Sequence, residues 1–151
     1  MASATTFSTS TRSESRTHTP SLAAPVVLLS RFLFVLLFLM AAPNHFASQT
    51  IAYAASQGVP LASIAVPLSG VIAFLGGLSI LLGYRAKIGA SLIALFLVVV
   101  TPMLHNFWSV TDPLMHQMQW IMFMKNISML GGALLIIQFG AGPWSLDARR
   151  K

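Results

Sequence analysis

The 151-residue chain contains no cysteine, and only 8% of its residues are charged. The lack of thiols excludes disulfide bonds, thiolate metal sites, iron–sulfur clusters held by this chain and CxxC redox exchange. Soluble domains average about 25% charged residues, whereas 56% of this chain is hydrophobic and its mean hydropathy is +0.77. The composition therefore predicts an integral membrane protein, with the lipid bilayer as its first partner.

Long apolar runs occur four times, at about residues 25–46, 61–83, 88–108 and 118–140. Each can cross a hydrocarbon layer of about 30 Å, which takes about 20 helical residues, and helix is the open-chain structure that satisfies backbone groups in lipid. We expect an all-α, four-transmembrane-helix bundle over residues 25–142. A Ser/Thr-rich, disordered tail at 1–24 and a basic cytoplasmic tail at 143–151 would flank it.

Acidic residues are also scarce, at three against nine Lys and Arg, which gives a net charge of +6. The basic residues form no single patch of the kind that tracks phosphates, so nucleic acid is not an expected partner. The loops at 47–60 and 109–117 contain none of them, and the positive-inside rule places both termini in the cytoplasm. The eight that fall on that side are Arg12, Arg16, Arg31, Arg85, Lys87, Arg149, Arg150 and Lys151.

The first apolar run has two further interpretations, because Arg31 leaves only Phe32 to Ala42 unbroken. That length matches the core of a signal peptide, and the acid-poor, arginine-bearing leader before it resembles an organelle transit peptide. Four crossings preserve the symmetry of the charge pattern. We therefore expect an integral protein of the bacterial cytoplasmic (inner) membrane, and leave open whether the leader is a targeting peptide.

The second and fourth runs share a Leu-Gly-Gly sequence, at 75–77 and 130–132, and the outer ends of the first and third contain His45 and His105 at corresponding positions. This echo indicates a parallel repeat of two helical hairpins, with chance similarity between apolar segments as the alternative. Small residues at such spacings permit close helix packing in membranes. The residues predicted to pack are Ser69, Ala73, Gly76, Gly77, Ser128, Gly131 and Gly132.

Lys125 is the only basic residue of the last apolar run, and Asn126 follows it. A lysine at membrane depth is costly, so it marks a functional candidate. It lies only five residues beyond Trp120, however, and could instead extend its side chain to the headgroups. As a ligand site, Lys125 and Asn126 would share a polar outer pocket with other residues. Those candidates are His45, His105, Asn106, Asp112 and His116, with Gln119 beside them.

Histidines near the outer loops could ligate haem or a metal, but the chain offers no second ligand signature. We interpret them as solvated loop residues and predict no metal site and no haem. A quinone is one cofactor that the polar pair could bind. Because no catalytic motif is present, we expect no reaction by this chain alone, and its status as an enzyme stays open.

Several short sequences resemble the DoxX family of small four-helix membrane proteins. They are Gly58-Val59-Pro60-Leu61, the Gly76-Gly77 pair with Gly83 before a basic turn, and Lys125-Asn126 followed by Leu130-Gly131-Gly132. The likeness covers about residues 26–142. Asn44-His45 stand where the family commonly has a lysine, so that lysine's role does not transfer. The resemblance implies a four-helix fold and association with quinone-linked or oxidative-stress redox systems.

Three functions follow as hypotheses. The first is an accessory or anchoring subunit of a membrane redox system, in contact with soluble or membrane redox enzymes, with Lys125 and Asn126 donating to a quinone carbonyl or an anionic substrate. The second is a small transporter or channel that uses the polar outer-leaflet pocket. The third is a purely structural helix bundle. Assembly into a homo-oligomer is compatible with each of them.

Overall fold

Helices make up all the regular secondary structure of the computed structural model, which describes residues 23–150. The α-helices are α1 (Ala23–Ala41), α2 (Ser48–Ser56), α3 (Ala62–Leu82), α4 (Ala86–Leu104) and α5 (Pro113–Phe139). All but α2 are long and apolar enough to cross a membrane. The predicted all-α architecture with four membrane spans is thus confirmed. The predicted disordered tail covers residues 1–24. Residues 1–22 lie outside the part of the chain that the structure describes, and α1 begins at Ala23.

The bundle is held by contacts of α3 with α4, α4 with α5, and α1 with α3. Its core contains fully buried side chains from three of these helices, among them Val35, Ile80, Ile93 and Leu97. Many large apolar side chains point outward instead, as expected where the solvent is hydrocarbon. Helix packing therefore depends on shape fit between backbones and small residues rather than on the exclusion of water.

Helix α2 occupies part of the stretch that the sequence predicts as the 47–60 loop. Its nine residues are too few to cross a bilayer, and it packs against α3 by burying Ala54 with Ala62 and Val66. Leu61, in the left-handed region at φ 49°, turns the chain from α2 into α3. Because α2 is short and only partly apolar, the spacing of its apolar residues did not indicate a helix in the sequence.

Helix α5 begins at Pro113, five residues before the start at 118 that the hydropathy indicates. The Oδ1 atom of Asp112 accepts a hydrogen bond from the Met115 N–H at 2.8 Å, and Pro113 occupies the first helical turn. Both features favour a helix start. The 27 residues of α5 span about 40 Å, which exceeds a hydrocarbon layer of about 30 Å, so α5 must cross the layer at a tilt or extend beyond it.

The residues after α5, which the sequence assigns to a basic tail, fold back onto the turn between α3 and α4. The N–H of Leu146 donates to the Leu82 carbonyl at 3.2 Å, and that of Asp147 donates to the Gly83 carbonyl at 2.8 Å. The Asp147 carboxylate accepts from the N–H groups of Arg85 (2.8 Å) and Ala86 (3.0 Å). The C-terminal segment thus satisfies backbone groups that helix ends leave unpaired.

Asp147 is held as an anion by this arrangement. Burial raises its pKa, but the hydrogen bonds from Ala86 and Arg85 and the charges of Arg150 and Arg31 outweigh that effect and lower the pKa below its usual value. Asp147 is therefore ionised at neutral pH. It supplies the N-terminal cap that α4 does not obtain from its own sequence, since Arg85 stands at that position in a left-handed conformation.

Arg31 lies beneath this segment and is 3% exposed. Its Nη2 donates to the Trp144 carbonyl at 2.6 Å, while Nε and Nη1 have no hydrogen-bond partner among the described residues. Gly83 allows this approach, because a Cβ there would overlap Nη1. We call the end of the bundle formed by Arg31, residues 83–87 and residues 140–150 the basic end, and the opposite end, with His45 and His105, the histidine end.

Thr101 in α4 provides a test of the packing. It is 2% exposed, and its Oγ1 has no hydrogen-bond partner among the described residues. Since an unsatisfied buried hydroxyl costs about 1–3 kcal/mol, Thr101→Val is expected to raise the thermal unfolding midpoint in detergent by a few degrees. Thr111→Val, at an exposed position, should leave it nearly unchanged. A lower midpoint for Thr101→Val alone would show that the hydroxyl is satisfied.

Candidate functional site

A cavity of about 520 Å³ lies near the histidine end, between the long helices and α2. Its volume is within the range of about 300–1,000 Å³ that is common for ligand pockets. Most of its lining is apolar, and the polar side chains that reach it come from separate helices and turns. They are His45, Thr50, Ser69, His105, Lys125 and Asn126.

His45 reaches the cavity from the 3-10 turn that follows α1. Its Nδ1 lies 2.9 Å from the Ser69 Oγ and 3.3 Å from the Val66 carbonyl oxygen, and Ser69 itself donates to that carbonyl at 2.7 Å. Because the serine proton is committed to Val66, we assign the imidazole proton to Nδ1, which donates to Ser69. The Nε2 atom of a neutral His45 is then an acceptor.

Gly70 fixes the position of His45. A Cβ on Gly70 would lie 2.6 Å from the Cβ of His45 and 3.1 Å from the Ala42 carbonyl oxygen. The turn after α1 can therefore approach α3 closely only where α3 has glycine. Sequence reasoning missed Gly70, although it directly follows Ser69, which was predicted to pack between helices.

His105 lies at the C-terminal end of α4, and its Nδ1 is 2.8 Å from the Oε1 of Gln119 on α5. The Nε2 of Gln119 in turn donates to the Tyr53 hydroxyl on α2 at 3.2 Å. This chain of hydrogen bonds joins α2, α4 and α5 beside the cavity. Tyr53 and Thr50 were missed from the sequence because the loop prediction gave α2 no defined face.

Lys125 and Asn126 are adjacent in α5 but differ in environment. Asn126 is 5% exposed and lines the cavity. Lys125 is exposed, and its Nζ lies 3.1 Å from the Met122 sulfur, which is a weak acceptor. The amide and the lysine thus bring up to five N–H donors, two and three respectively, to a largely apolar space.

Three other predicted candidates do not line the cavity. Asp112 caps α5 and is not part of the cavity lining. The ring of His116 packs edge-on against Phe107, with 5.6 Å between centroids. Asn106 accepts from Ser109 through its backbone carbonyl. The cavity therefore gathers His45, His105, Lys125 and Asn126, and the other three serve local structure at the same end.

The predicted packing residues of α3 face two neighbours. A Cβ on Gly76 would lie 3.0 Å from the Gly89 carbonyl oxygen in α4, and one on Gly77 would lie 3.1 Å from Leu39 in α1. Ala73 is 2% exposed within the core. Gly89, which was not among the predicted residues, is in closer contact than Gly76, since a Cβ there would lie 2.5 Å from the Ser79 Oγ.

On α5 the predicted packing residues occupy different surroundings. Gly132 faces the ring of Phe34 in α1, where a Cβ would lie 2.8 Å from Cε2. Gly131 has no heavy atom near its would-be Cβ, and Ser128 is exposed with its hydroxyl bonded to the Met124 carbonyl.

No group of three or more His, Asp or Glu side chains suited to a metal ion occurs among residues 23–150.

Comparison with known proteins identifies the family. The model of the SURF4 family matches residues 51–151. The inner membrane protein YqjF of Escherichia coli is 31% identical over 123 residues, which cover 80% of this chain and 88% of YqjF. The E. coli inner membrane protein YphA is 31% identical over 130 residues, 84% of this chain and 92% of YphA. No solved structure matches the chain.

A eukaryotic protein is also similar over a shorter region. The ER-derived vesicles protein ERV29 of Saccharomyces cerevisiae is 28% identical over 81 residues, which cover 54% of this chain. The match spans about a quarter of ERV29, 26% of its length. The names of YqjF and YphA agree with the predicted location, and integral residence in the inner membrane is confirmed.

The predicted membership of the DoxX family is wrong, because the matching family model is that of SURF4. The glycine pairs and the Lys-Asn sequence that suggested DoxX satisfy general needs of membrane helix bundles: close backbone approach and an interfacial polar group. Such features recur in unrelated four-helix proteins and do not identify one family. This chain belongs to the SURF4 family of integral membrane proteins.

Proposed function

We propose that this protein is a non-catalytic integral membrane protein that binds a ligand. The ligand is amphipathic, has an anionic or carbonyl headgroup, and occupies the cavity at the histidine end. One observation carries the proposal: Asn126, which is 5% exposed, lines the same largely apolar cavity as Lys125 and His45. Buried polar side chains normally have a hydrogen-bond partner. A ligand oxygen would accept a hydrogen bond from the Asn126 amide.

The headgroup of the ligand would be held by two residues of α5, Lys125 and Asn126. The Lys125 ammonium can donate three hydrogen bonds and the Asn126 amide two, so together they suit a carboxylate, a phosphate or a quinone oxygen. The low dielectric of the bilayer strengthens each of these bonds. A hydroxyl on the ligand could in addition donate to the acceptor Nε2 of His45.

The apolar part of the ligand would lie against the cavity walls, which include Phe38, Ile72 and Phe96. Leu68 and Leu95, at the rim, are 55% and 62% exposed on the lipid-facing surface of the bundle. An amphiphile could therefore enter from the membrane without crossing water. This access suits a hydrophobic ligand better than a soluble one.

The anchoring of redox enzymes was implied by the DoxX resemblance and loses its support with it. ERV29 is named for ER-derived vesicles, and since this chain spans only a quarter of it, we base the proposal on the cavity. Quinone remains a candidate ligand because its carbonyls fit the same donors.

A transporter would require a path to the basic end. Val35, Ile80 and Ile93 form a buried cluster on that side of the cavity, and transport would need this cluster to open. Proteoliposomes that carry the protein are therefore expected to show no flux of small anions above that of empty vesicles.

Binding of a fluorescent long-chain carboxylate to the detergent-solubilised protein tests the proposal. Losing a charge-assisted hydrogen bond costs about 1.5–3 kcal/mol, so Asn126→Leu and Lys125→Gln should each weaken binding about 10-fold or more. Lys87→Gln at the basic end and Ser128→Ala on α5 are the matched controls and should bind as the wild type does. Unlabelled carboxylate, its methyl ester and a quinone of equal chain length would rank the headgroups by competition.

If both cavity variants bind the probe like the wild type, the polar pair takes no part in ligand recognition and the proposal fails.

A further inference from the structure

A second cavity, of about 620 Å³, lies at the basic end, far from the histidines. It is a groove between the first turns of α1, the last turn of α3 and the C-terminal segment. Its apolar wall is formed by Leu28, Leu81, Leu82 and Leu146, and Arg149 lies along the same groove. The groove thus combines an apolar wall with a cation, a pattern that matches an amphiphile at a membrane surface.

The charge around the groove is strongly positive. Arg85, Lys87 and Arg150 lie at the same end, and the guanidinium groups of Arg85 and Arg150 stand 5.8 Å and 5.2 Å from the Tyr84 ring centroid. Asp147 is the single acid in this part of the sequence. Its carboxylate offsets one positive charge, through Arg150 and Arg31, against the five basic residues Arg31, Arg85, Lys87, Arg149 and Arg150, so this end keeps a net positive charge.

Trp144 forms one side of the groove in a strained backbone conformation. It is 62% exposed and has φ 54°, a left-handed value that costs a non-glycine residue about 1–3 kcal/mol. The hydrogen bond from Arg31 to its carbonyl holds it there. Tryptophan is enriched where membranes meet water, since its ring suits the headgroup region. The hydrogen bond from Arg31 therefore keeps an interfacial side chain beside the groove, against the cost of the backbone strain.

We propose that this groove binds an anionic phospholipid of the adjacent leaflet. The phosphate is held by Arg149, whose planar guanidinium can donate two parallel hydrogen bonds to it. An acyl chain lies along the leucine wall, and Arg150 and Arg85 add to the attraction for negative charge. The site is separate from the cavity at the histidine end, so it stands independently of the proposed ligand there.

Native mass spectrometry of the full chain in neutral detergent tests this site. Phosphatidylcholine has the same phosphate, but its choline group cancels the negative charge. We therefore expect phosphatidylglycerol of the same acyl chains to bind about fivefold more tightly for each arginine near the headgroup, which equals about 1 kcal/mol per residue. Arg149→Gln should remove most of this preference. Lys125→Gln, at the other end of the bundle, is the control that keeps it. Glycerophosphate, which lacks acyl chains, should not displace the bound lipid.

Equal binding of the two lipids would overturn the proposal, as would a preference that survives Arg149→Gln combined with Arg150→Gln. Full displacement by glycerophosphate would also contradict it, because the leucine wall would then contribute nothing. Arg149 and Arg150 are exposed, so these variants are expected to fold, and an unchanged unfolding midpoint would confirm that for each of them.

Discussion

Gly89→Ala is expected to destabilise the bundle strongly. A Cβ at this position would lie 2.5 Å from the Oγ of Ser79, 2.7 Å from its Cβ and 2.8 Å from the carbonyl oxygen of Gly76. One of these atoms belongs to the backbone of α3, so the two helices must move apart. Overpacking of this kind costs about 1–3 kcal/mol. The thermal unfolding midpoint in detergent should fall by several degrees, with a loss of correctly folded protein on expression.

The same substitution at Gly131 is the matched control. Nothing lies within 4 Å of a Cβ built there, and alanine is favoured over glycine inside a helix by up to about 1 kcal/mol. Gly131→Ala should therefore keep or raise the midpoint. Shifts of equal sign and size in the two variants would mean that the close contact of α3 with α4 does not set the stability.

Arg31→Ala is expected to release the C-terminal segment from the basic end. The change removes the hydrogen bond to the Trp144 carbonyl and leaves a cavity, and large-to-small changes at buried positions cost about 2–5 kcal/mol. Hydrogen exchange at the amides of Leu146 and Asp147, which bond to the end of α3, should speed up at least 10-fold. Mass spectrometry of C-terminal peptides would measure this.

The variant Arg31→Met distinguishes the effect of losing the side-chain volume of Arg31 from the effect of losing its charge. Methionine fills much of the same space and removes the two unpartnered donors, Nε and Nη1, and apolar replacement of a buried ionic group is often tolerated. We expect exchange in this variant to lie between those of the wild type and Arg31→Ala. Wild-type exchange in the alanine variant would show that Arg31 does not hold the segment.

Much of the fold could be read from the sequence because a bilayer leaves few choices for a long apolar run. The four spans follow from length and hydropathy. Helix α2 and the docked C-terminal segment could not be predicted in this way. Asp147 caps α4 across 61 residues, and Arg31 reaches Trp144 across 113; such long-range contacts leave no periodic pattern in the sequence.

The candidate site was only partly visible in the sequence. A charge in an apolar run drew attention to Lys125, yet the buried residue of the pair is Asn126. His45 and His105 do meet at one cavity. Asp112 and His116 serve local needs, a helix cap and an aromatic contact, which polarity alone does not distinguish from ligand binding. The glycines of α3 and α5 suggested the wrong family because close packing demands them in many bundles.

Photo-crosslinking in native membranes tests the central claim, that the cavity at the histidine end holds an amphiphile. A long-chain carboxylate with a diazirine near its headgroup would be activated, and the labelled residues mapped by peptide mass spectrometry. We expect adducts on α5 around Lys125, Asn126 and Met129 and on the turn at His45, with labelling reduced by unlabelled carboxylate and by Asn126→Leu. Labelling confined to the outer faces of the helices or to the basic end, and unaffected by Asn126→Leu, would contradict it.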